Sequence, residues 1–227
     1  MIAHHKLRLA VLISGRGSNM EAIARACAQQ TIEAQIERVI ADRSDAAGIA
    51  IAQNMGLAGV VIDRADYQNR DQHELAVCDA IDSCDAGLVA LAGYMRILSP
   101  GFVQRYAGRL LNIHPSLLPA YKGLHTHRRV LENGEREHGS SVHYVSAQLD
   151  AGPVICQARV SVMPGDTEDT LAARVLKGEH KIYPLAIGLI ASGRVRLGGD
   201  RVLLDDRPLL SPLSGDDPLL RIAPSHA

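Results

Sequence analysis

Continuous apolar runs of strand length alternate, along the first half of the chain, with stretches whose apolar residues recur at helical spacing. The runs lie at residues 9–13, 36–41, 59–62, 88–92 and 110–114. Helical stretches separate the first four of them, at residues 20–28, 46–55 and 69–83. The alternation predicts an α/β fold of Rossmann-like type. This is an open, twisted, mostly parallel sheet with right-handed crossovers and helices on both faces.

The alternation lapses in the second half of the chain. After a helical segment at residues 126–132, strand-like segments at 140–145 and 154–162 follow each other without a helix. We therefore expect an antiparallel portion of the sheet there. A long helical stretch opens at residues 165–167, with an interruption expected near Gly178 and a kink or restart at Pro184. Two short apolar segments, 194–197 and 202–204, predict a hairpin.

Chain length and proline content set the expected domain organisation. The chain has 227 residues, which suits one sizeable domain with a good core. We place that domain at residues 1–205, with halves of about 7–106 and 107–205. The segment 206–227 is rich in proline, and we expect it to be a mobile tail without regular structure. Its prolines are Pro208, Pro212, Pro218 and Pro224.

Charge and cysteine usage narrow the class of protein. The net charge is −1, which gives no bulk electrostatic reason to expect binding to nucleic acid or to a membrane surface. No apolar run approaches the ~20 residues of a membrane span, and the first residues lack the apolar core of a signal peptide. The 4 cysteines show no Cys-x-x-Cys spacing and read as free thiols. These features predict a cytoplasmic protein.

The first strand is followed at once by a glycine turn and a helix. Gly15 and Gly17 flank Arg16, and Ser18 lies three residues before Glu21, a spacing typical of a capping box. Glycines before a helix start form an anion site, because the backbone can approach a phosphate and the helix offers N–H groups. An ordinary strand-to-helix turn fits the same residues. The third glycine of the dinucleotide fingerprint is missing, which argues against NAD.

A second unusual loop follows the fourth strand. Residues 93–98 are largely apolar, and Ser99 with Pro100 then predicts a helix start. Met95, Ile97 and Leu98 either pack beneath that helix or line a pocket.

Polar side chains gather where the fifth strand ends. Asn112 and His114 are two residues apart, so both point to one face of a strand. Asp150 follows in the turn-rich segment 149–153, just before another apolar run. An amide, an imidazole and a carboxylate brought together suit acyl-type transfer. An ordinary buried hydrogen-bond network is the alternative interpretation.

These residues also carry a family resemblance. Asn112-x-His114-Pro115-Ser116-Leu117-Leu118-Pro119, Gly123-Leu124-His125-Thr126-His127 and Leu149-Asp150-x-Gly152-Pro153 resemble the motifs of the folate-dependent formyltransferases. The resemblance is greatest to the members that formylate glycinamide ribonucleotide in purine biosynthesis. It runs from Leu7 to about Leu197.

The resemblance implies a reaction and a set of binding residues. The formyl group would pass from the co-substrate 10-formyltetrahydrofolate to the primary amine of glycinamide ribonucleotide. The residues implied for glycinamide ribonucleotide are Gly17, Ser18, Asn19 and Glu179. The residues implied for folate are Arg70, Met95, Arg96, Ile97, Leu98 and Asn112. A solvated arginine at a helix start and an exposed helical glutamate are the plainer interpretations of Arg70 and Glu179.

The implied mechanism is direct attack of the amine through a tetrahedral intermediate. Asn112 would bind the formyl oxygen, His114 would stabilise the oxyanion and donate a proton, and Asp150 would support the charged imidazole and proton transfer. No serine or cysteine lies in a nucleophile motif, so a covalent formyl-enzyme is not expected. No metal is expected either, since the His-x-His at 125–127 is more often structural. The partners are then small molecules, and the protein is a monomer or a homodimer.

Three alternatives share parts of this pattern. Methionyl-tRNA formyltransferases carry a further C-terminal domain, for which we expect too few residues after Leu197. Formyltetrahydrofolate hydrolases usually carry an N-terminal regulatory domain, whereas the first strand begins at once here. A nucleotide or folate sensor without catalysis is the third, and the presence of Asn112, His114 and Asp150 counts against it.

Overall fold

The computed structural model describes residues 6–217. The chain divides into two compact units, Met1–Leu111 and Asn112–Ala227. Within the described residues, no helix is both long and apolar enough to cross a membrane.

The first unit is built from parallel strands and helices in alternation. Its strands are β1 (Leu7–Ile13), β2 (Ala34–Ala41), β3 (Gly59–Val61) and β4 (Leu88–Leu91). Its helices are α1 (Ser18–Ala28), α2 (Ala47–Asn54), α3 (Arg70–Asp82) and α4 (Pro100–Arg105), with a short 3₁₀ turn at Arg64–Asp66. The strands follow the order β4-β1-β2-β3 and all pair in parallel. The predicted parallel α/β arrangement is confirmed.

The helix starts in the first unit show where local sequence rules hold. Asn69 caps α3 by accepting from the Gln72 N–H, and Ser99 caps α4 by accepting from the Phe102 N–H. The predicted capping box at Ser18 and Glu21 is wrong. Gly17 in the left-handed region precedes α1, Ser18 is already helical, and no side chain caps the helix. Glycine is favoured at this N-cap position because only a residue without a Cβ adopts a φ of 73° at little cost.

The second unit mixes parallel and antiparallel strands. It contains β5 (Leu110–His114, which begins at the end of the first unit), α5 (Thr126–Glu132), β6 (Glu137–Tyr144), β7 (Val154–Ser161) and α6 (Glu168–Ala191). Here the strands follow the order β11-β7-β6-β5, in which β11 is the short strand Leu213–Ser214. The predicted antiparallel portion is confirmed, because β6 and β7 pair in opposite directions. The predicted hairpin is also present, as β8 (Val195–Gly198) against β9 (Arg201–Leu204).

Helix α6 differs from its prediction. It is one continuous helix of 24 residues with Pro184 inside it, so the expected interruption near Gly178 is wrong. A Cβ placed on Gly178 would lie 2.9 Å from the Ala158 Cβ of β7. Glycine therefore lets the helix approach the strand closely, and this packing offsets the weak helix propensity of glycine.

The segment after Asp205 also differs from its prediction. It forms β10 (Arg207–Pro208), which pairs with β9, and β11 (Leu213–Ser214), which pairs in parallel with β7. Leu213 is buried, and the Gly215 N–H donates to the Gln157 carbonyl at 2.8 Å. Prolines therefore do not prevent regular structure here, because Pro208 and Pro212 fall at the end of β10 and just before β11. Pro218, Pro224 and the rest of the expected tail beyond Asp217 lie outside the described residues.

Candidate active site

The end of β5 carries the two side chains predicted from its sequence. His114 is buried, and its Nε2 lies 3.0 Å from the Tyr121 carbonyl oxygen. Its Nδ1 lies 3.5 Å from Asp150 Oδ2. Asn112 is partly exposed, and its Nδ2 lies 3.3 Å from His143 Nε2. The structure thus brings the predicted Asn112, His114 and Asp150 together, with His143 among them.

A tight turn holds the Asp150 carboxylate. Asp150 has a φ of 46°, in the left-handed region, and the Gly123 N–H donates to its Oδ2 at 2.9 Å. Two residues later, a Cβ on Gly152 would lie 1.8 Å from the Tyr144 carbonyl oxygen. Only glycine fits that contact. A non-glycine residue with positive φ is a form of strain that concentrates at functional sites.

Hydrogen-bond acceptors face both ring nitrogens of His114. A carbonyl oxygen faces Nε2 and a carboxylate oxygen faces Nδ1. Both of these oxygens act as hydrogen-bond acceptors. The site therefore places the His114 imidazole between a backbone carbonyl oxygen and the Asp150 carboxylate.

His143 is a site residue that the sequence did not reveal. It lies on β6 and is buried, its Nδ1 is 2.9 Å from the Tyr144 carbonyl oxygen, and its Nε2 is 3.9 Å from Asp150 Oδ1. The one indication in the sequence was the alternating pattern of residues 140–145, which places His143 and Ser141 on the same face of a strand. Nothing local indicated that this face meets Asn112.

A buried polar network anchors the loop after His114. The Ser141 hydroxyl donates to the Ser116 carbonyl at 2.6 Å and accepts from the Leu118 N–H at 3.0 Å. The Gln157 amide donates to the Leu118 carbonyl at 2.8 Å and to Ser141 Oγ at 3.0 Å. The loop that carries the Tyr121 acceptor is thereby tied to β6 and β7.

The His-x-His segment forms a histidine pair with a third histidine. His125 has a φ of 57° and precedes α5 as its N-terminal capping position, without a capping side-chain bond. His127 Nδ1 lies 3.0 Å from His138 Nε2. Burial lowers the pKa of His127 and lowers that of His138 to about 4. Across residues 6–217, no group of three or more His, Cys, Asp or Glu side chains is arranged to hold a metal ion.

Glu179, the other second-unit residue implied for substrate binding, lies in the middle of α6. Its side chain is buried, so the interpretation as an exposed helical glutamate is wrong.

The glycine loop of the first unit lies at the start of α1. Ser18 is the first helical residue, and Asn19 is buried behind it. A Cβ on Gly17 would lie 2.9 Å from the Gly48 Cα of α2. Gly17 is therefore required for contact between two helices as well as for its positive φ. An 11-residue helix that starts beside exposed Gly15 and Arg16 keeps the features of an anion site.

The apolar loop after β4 is held by polar contacts. The Met95 N–H donates to Ser14 Oγ at 2.8 Å, and Arg96 Nε lies 2.5 Å from the buried Asp42 carboxylate. Met95 and Ile97 are each 72% exposed. The interpretation that the loop packs beneath the next helix is therefore wrong for these two side chains.

Arg70 is joined to the end of that loop through Glu74. Arg70 Nε lies 2.9 Å from Glu74 Oε1, which also accepts from the Ser99 N–H at 2.9 Å. The Ser99 hydroxyl donates to Glu74 Oε2. Arg70 therefore forms an ion pair at the start of α3, with its side chain 45% exposed.

Comparison with known proteins identifies relatives over most of the chain. The family described as "Formyl transferase" matches residues 7–187. The phosphoribosylglycinamide formyltransferase of Escherichia coli is 48% identical over 203 residues, which are 89% of this chain and 96% of that protein. The Haemophilus influenzae protein of the same name is 42% identical, over 92% of this chain and 97% of its own length.

A solved structure agrees with these relatives. The phosphoribosylglycinamide formyltransferase of Coxiella burnetii superposes with a TM-score of 0.87 at 45% sequence identity. The match covers 92% of this chain and 99% of that one.

Proposed function

Since this chain belongs to the formyl transferase family, we propose that it transfers the formyl group of 10-formyltetrahydrofolate to the primary amine of glycinamide ribonucleotide. The observation that carries the proposal is the 48% identity to the Escherichia coli enzyme over 96% of that enzyme's length. The close grouping of Asn112, His114 and Asp150 supports it.

The chemistry begins with attack of the amine on the formyl carbon. The new tetrahedral carbon carries an oxyanion, and the site must stabilise it. Asn112 donates a hydrogen bond to the formyl oxygen, and the His114 imidazolium stabilises the charge that develops there. His114 then donates a proton to the folate nitrogen as it leaves.

Asp150 has two tasks in this chemistry: it supports the charge on His114, and it accepts a proton. Its carboxylate faces His114 Nδ1 at 3.5 Å, which is longer than an ordinary hydrogen bond and typical of a catalytic contact that tightens when substrates bind. Asp150 also takes up the proton that the attacking amine loses. The Gly123 N–H holds the carboxylate in place for both tasks.

The remaining residues bind the two substrates. Gly17, Ser18 and Asn19 present the start of α1 to the phosphate of glycinamide ribonucleotide, and Glu179 binds the same molecule. Met95, Arg96, Ile97 and Leu98 receive the folate ring, whose apolar surface covers their exposed side chains. Arg70 binds folate as well. Neither a nucleic acid nor a membrane takes part in the reaction, and the protein acts in the cytoplasm as a monomer or homodimer.

The proposal is tested with the purified chain and both substrates. Tetrahydrofolate and formylglycinamide ribonucleotide are expected to appear in equal amounts. A parallel reaction without glycinamide ribonucleotide measures release of free formate. Formate release at the full rate would identify a hydrolase, and absence of any formyl loss from the folate would favour a binding protein.

A further inference from the structure

His143 lies in the second unit beside the three residues assigned to formyl transfer, yet it has no role in that chemistry. It is 2% exposed and reaches Asn112 with one ring nitrogen and the Tyr144 backbone with the other. The pairing of β6 with β7 shifts register between Val142 and His143. Such irregularities next to active sites commonly redirect a side chain.

The contacts of His143 determine which nitrogen carries its proton. The Tyr144 carbonyl can only accept, so Nδ1, 2.9 Å away, must donate. In the neutral ring Nε2 then has a free lone pair. The Asn112 amide nitrogen, 3.3 Å away, donates to that lone pair. The opposite orientation of the amide would place its oxygen against Nε2, so that two acceptors would face each other.

This bond fixes the direction of the catalytic amide. One N–H of Asn112 is directed to His143, so the second N–H remains for the formyl oxygen. An amide turned over would present its own oxygen in the place of one of these donors. We propose that His143, as the Nδ1–H tautomer, is a positioning residue that holds the Asn112 amide with an N–H directed at the formyl oxygen. The proposal rests on the formyl-transfer function given above.

The environment of His143 keeps the ring in the required state. Burial lowers the pKa of His143, and the nearby charge of His114 acts in the same direction. The Tyr144 contact and Asp150 act in the opposite direction. A protonated ring would carry an N–H on Nε2, where it would face the Asn112 donor. The Asp150 oxygen, at 3.9 Å from Nε2, would then compete as its acceptor.

Two substitutions separate the two ring nitrogens. His143→Gln places its amide oxygen near the position of Nε2, so it keeps an acceptor for Asn112. His143→Asn keeps a donor near Nδ1 for Tyr144 and loses the acceptor. We expect His143→Asn to lower kcat roughly 10²-fold, on the scale of a lost oxyanion donor, with KM for both substrates nearly unchanged. We expect His143→Gln to retain most of the wild-type kcat.

The coupling to Asn112 gives a second measurement. In an Asn112→Ala background there is no amide to hold, so His143→Asn should lower kcat little further. Equal losses in the Asn and Gln variants, or a full additional loss in the Asn112→Ala background, would overturn the proposal. Wild-type kcat in His143→Asn would also overturn it.

A spectroscopic measurement does not depend on turnover. Long-range ¹H–¹⁵N correlation of the imidazole signals in the wild-type protein reports the protonation of each ring nitrogen. We expect His143 at neutral pH to carry its proton on Nδ1 and none on Nε2. A proton on Nε2 would overturn the positioning role even in an active enzyme. A wild-type protein without formyl transfer but with the expected tautomer would instead contradict the proposed reaction.

Discussion

The chemistry of single residues depends on how His114 and Asp150 share charge. His114 has an acceptor on each side of its ring, and Asp150 is the charged one. Asp150→Asn keeps the shape of the side chain and removes the negative charge. We expect turnover to fall by roughly 10²–10⁴-fold, the scale of a lost acid–base contribution. Dissociation constants for both substrates should change far less, because neither group is assigned to substrate recognition.

The same pair is tested as one unit by a double-mutant cycle. Adding His114→Ala to Asp150→Asn should cost much less than the product of the two single losses, because groups that act together are not additive. The measurement is kcat/KM for the wild type and the three variants. Losses that multiply fully would contradict a coupled pair and would leave the two residues with independent roles.

Residue spacing predicted part of this site. Asn112 and His114 follow from the two-residue period of a strand, and Asp150 from its turn motif. The distance between His114 and Asp150 does not follow from spacing. It depends on where the pairing of β6 with β7 places the connecting turn that contains Asp150. His143 has the same limitation. Its role depends on a pairing irregularity at Val142 and His143, for which the sequence has no local signal.

The start of α1 is the element on which phosphate binding depends. The proposed role of Gly17 cannot be tested cleanly by a larger residue, since Gly17→Val would clash with Gly48 and disturb the fold. Ser18→Asp is a better change. A carboxylate at a helix N-terminus stabilises the helix by about 0.3–1 kcal/mol, yet it repels a phosphate. We therefore expect unchanged or higher stability and at least about tenfold weaker glycinamide ribonucleotide binding.

Ser18→Asn serves as the control, because it has nearly the same size without the charge. Calorimetry with glycinamide ribonucleotide and with a folate analogue measures both sites, and thermal unfolding measures stability. Equal binding of the ribonucleotide by the Asp and Asn variants would contradict a phosphate at this helix start.

Strand β11 is the element that differs most from the prediction made from the sequence. Leu213 is 4% exposed, whereas Leu210 in the same segment is 94% exposed. Leu213→Ala should lower the free energy of unfolding by about 2 kcal/mol or more, and Leu210→Ala by less than about 0.5 kcal/mol. Urea unfolding of the two variants measures the difference. Equal stabilities would mean that β11 contributes nothing to the packing of β7.

The errors at β11 and α6 share a physical cause. Proline and glycine are weak formers of regular structure when considered alone, and on that basis each predicted an end to a helix or a strand. In α6, Gly178 is compensated by close packing on Ala158, and in β11 pairing with β7 supplies the hydrogen bonds. Long amphipathic segments such as α3, and the capped start of α4 at Ser99, were predictable because their signals are local.

At the scale of the whole molecule, buried histidines make stability depend on pH. Burial lowers the pKa of His138 to about 4, and it also lowers those of His127 and His143. In the unfolded chain a histidine binds a proton near about pH 6.5. Between these values the unfolded state takes up protons that the folded state excludes. The free energy of unfolding should therefore fall as pH drops below about 6.5, by up to about 1.4 kcal/mol per unit for each such histidine.

The pH effect is measured by urea unfolding at about pH 7 and about pH 5. His138→Gln removes one titrating group and keeps a polar atom near His127. Its loss of stability over this range should be smaller than that of the wild type. An identical loss in both proteins would mean that His138 is not a source of the effect.

Gly152 limits how the site can be changed by directed evolution. A Cβ at this position would collide with the Tyr144 carbonyl oxygen, the same oxygen that accepts from His143 Nδ1. Ala147, Gln148 and Leu149 in the preceding turn are exposed, so a randomised library can vary them freely. At position 152 such a library should return glycine alone. New substrate preferences in this turn must therefore arise on its outer surface, while the backbone path beneath Asp150 stays as it is.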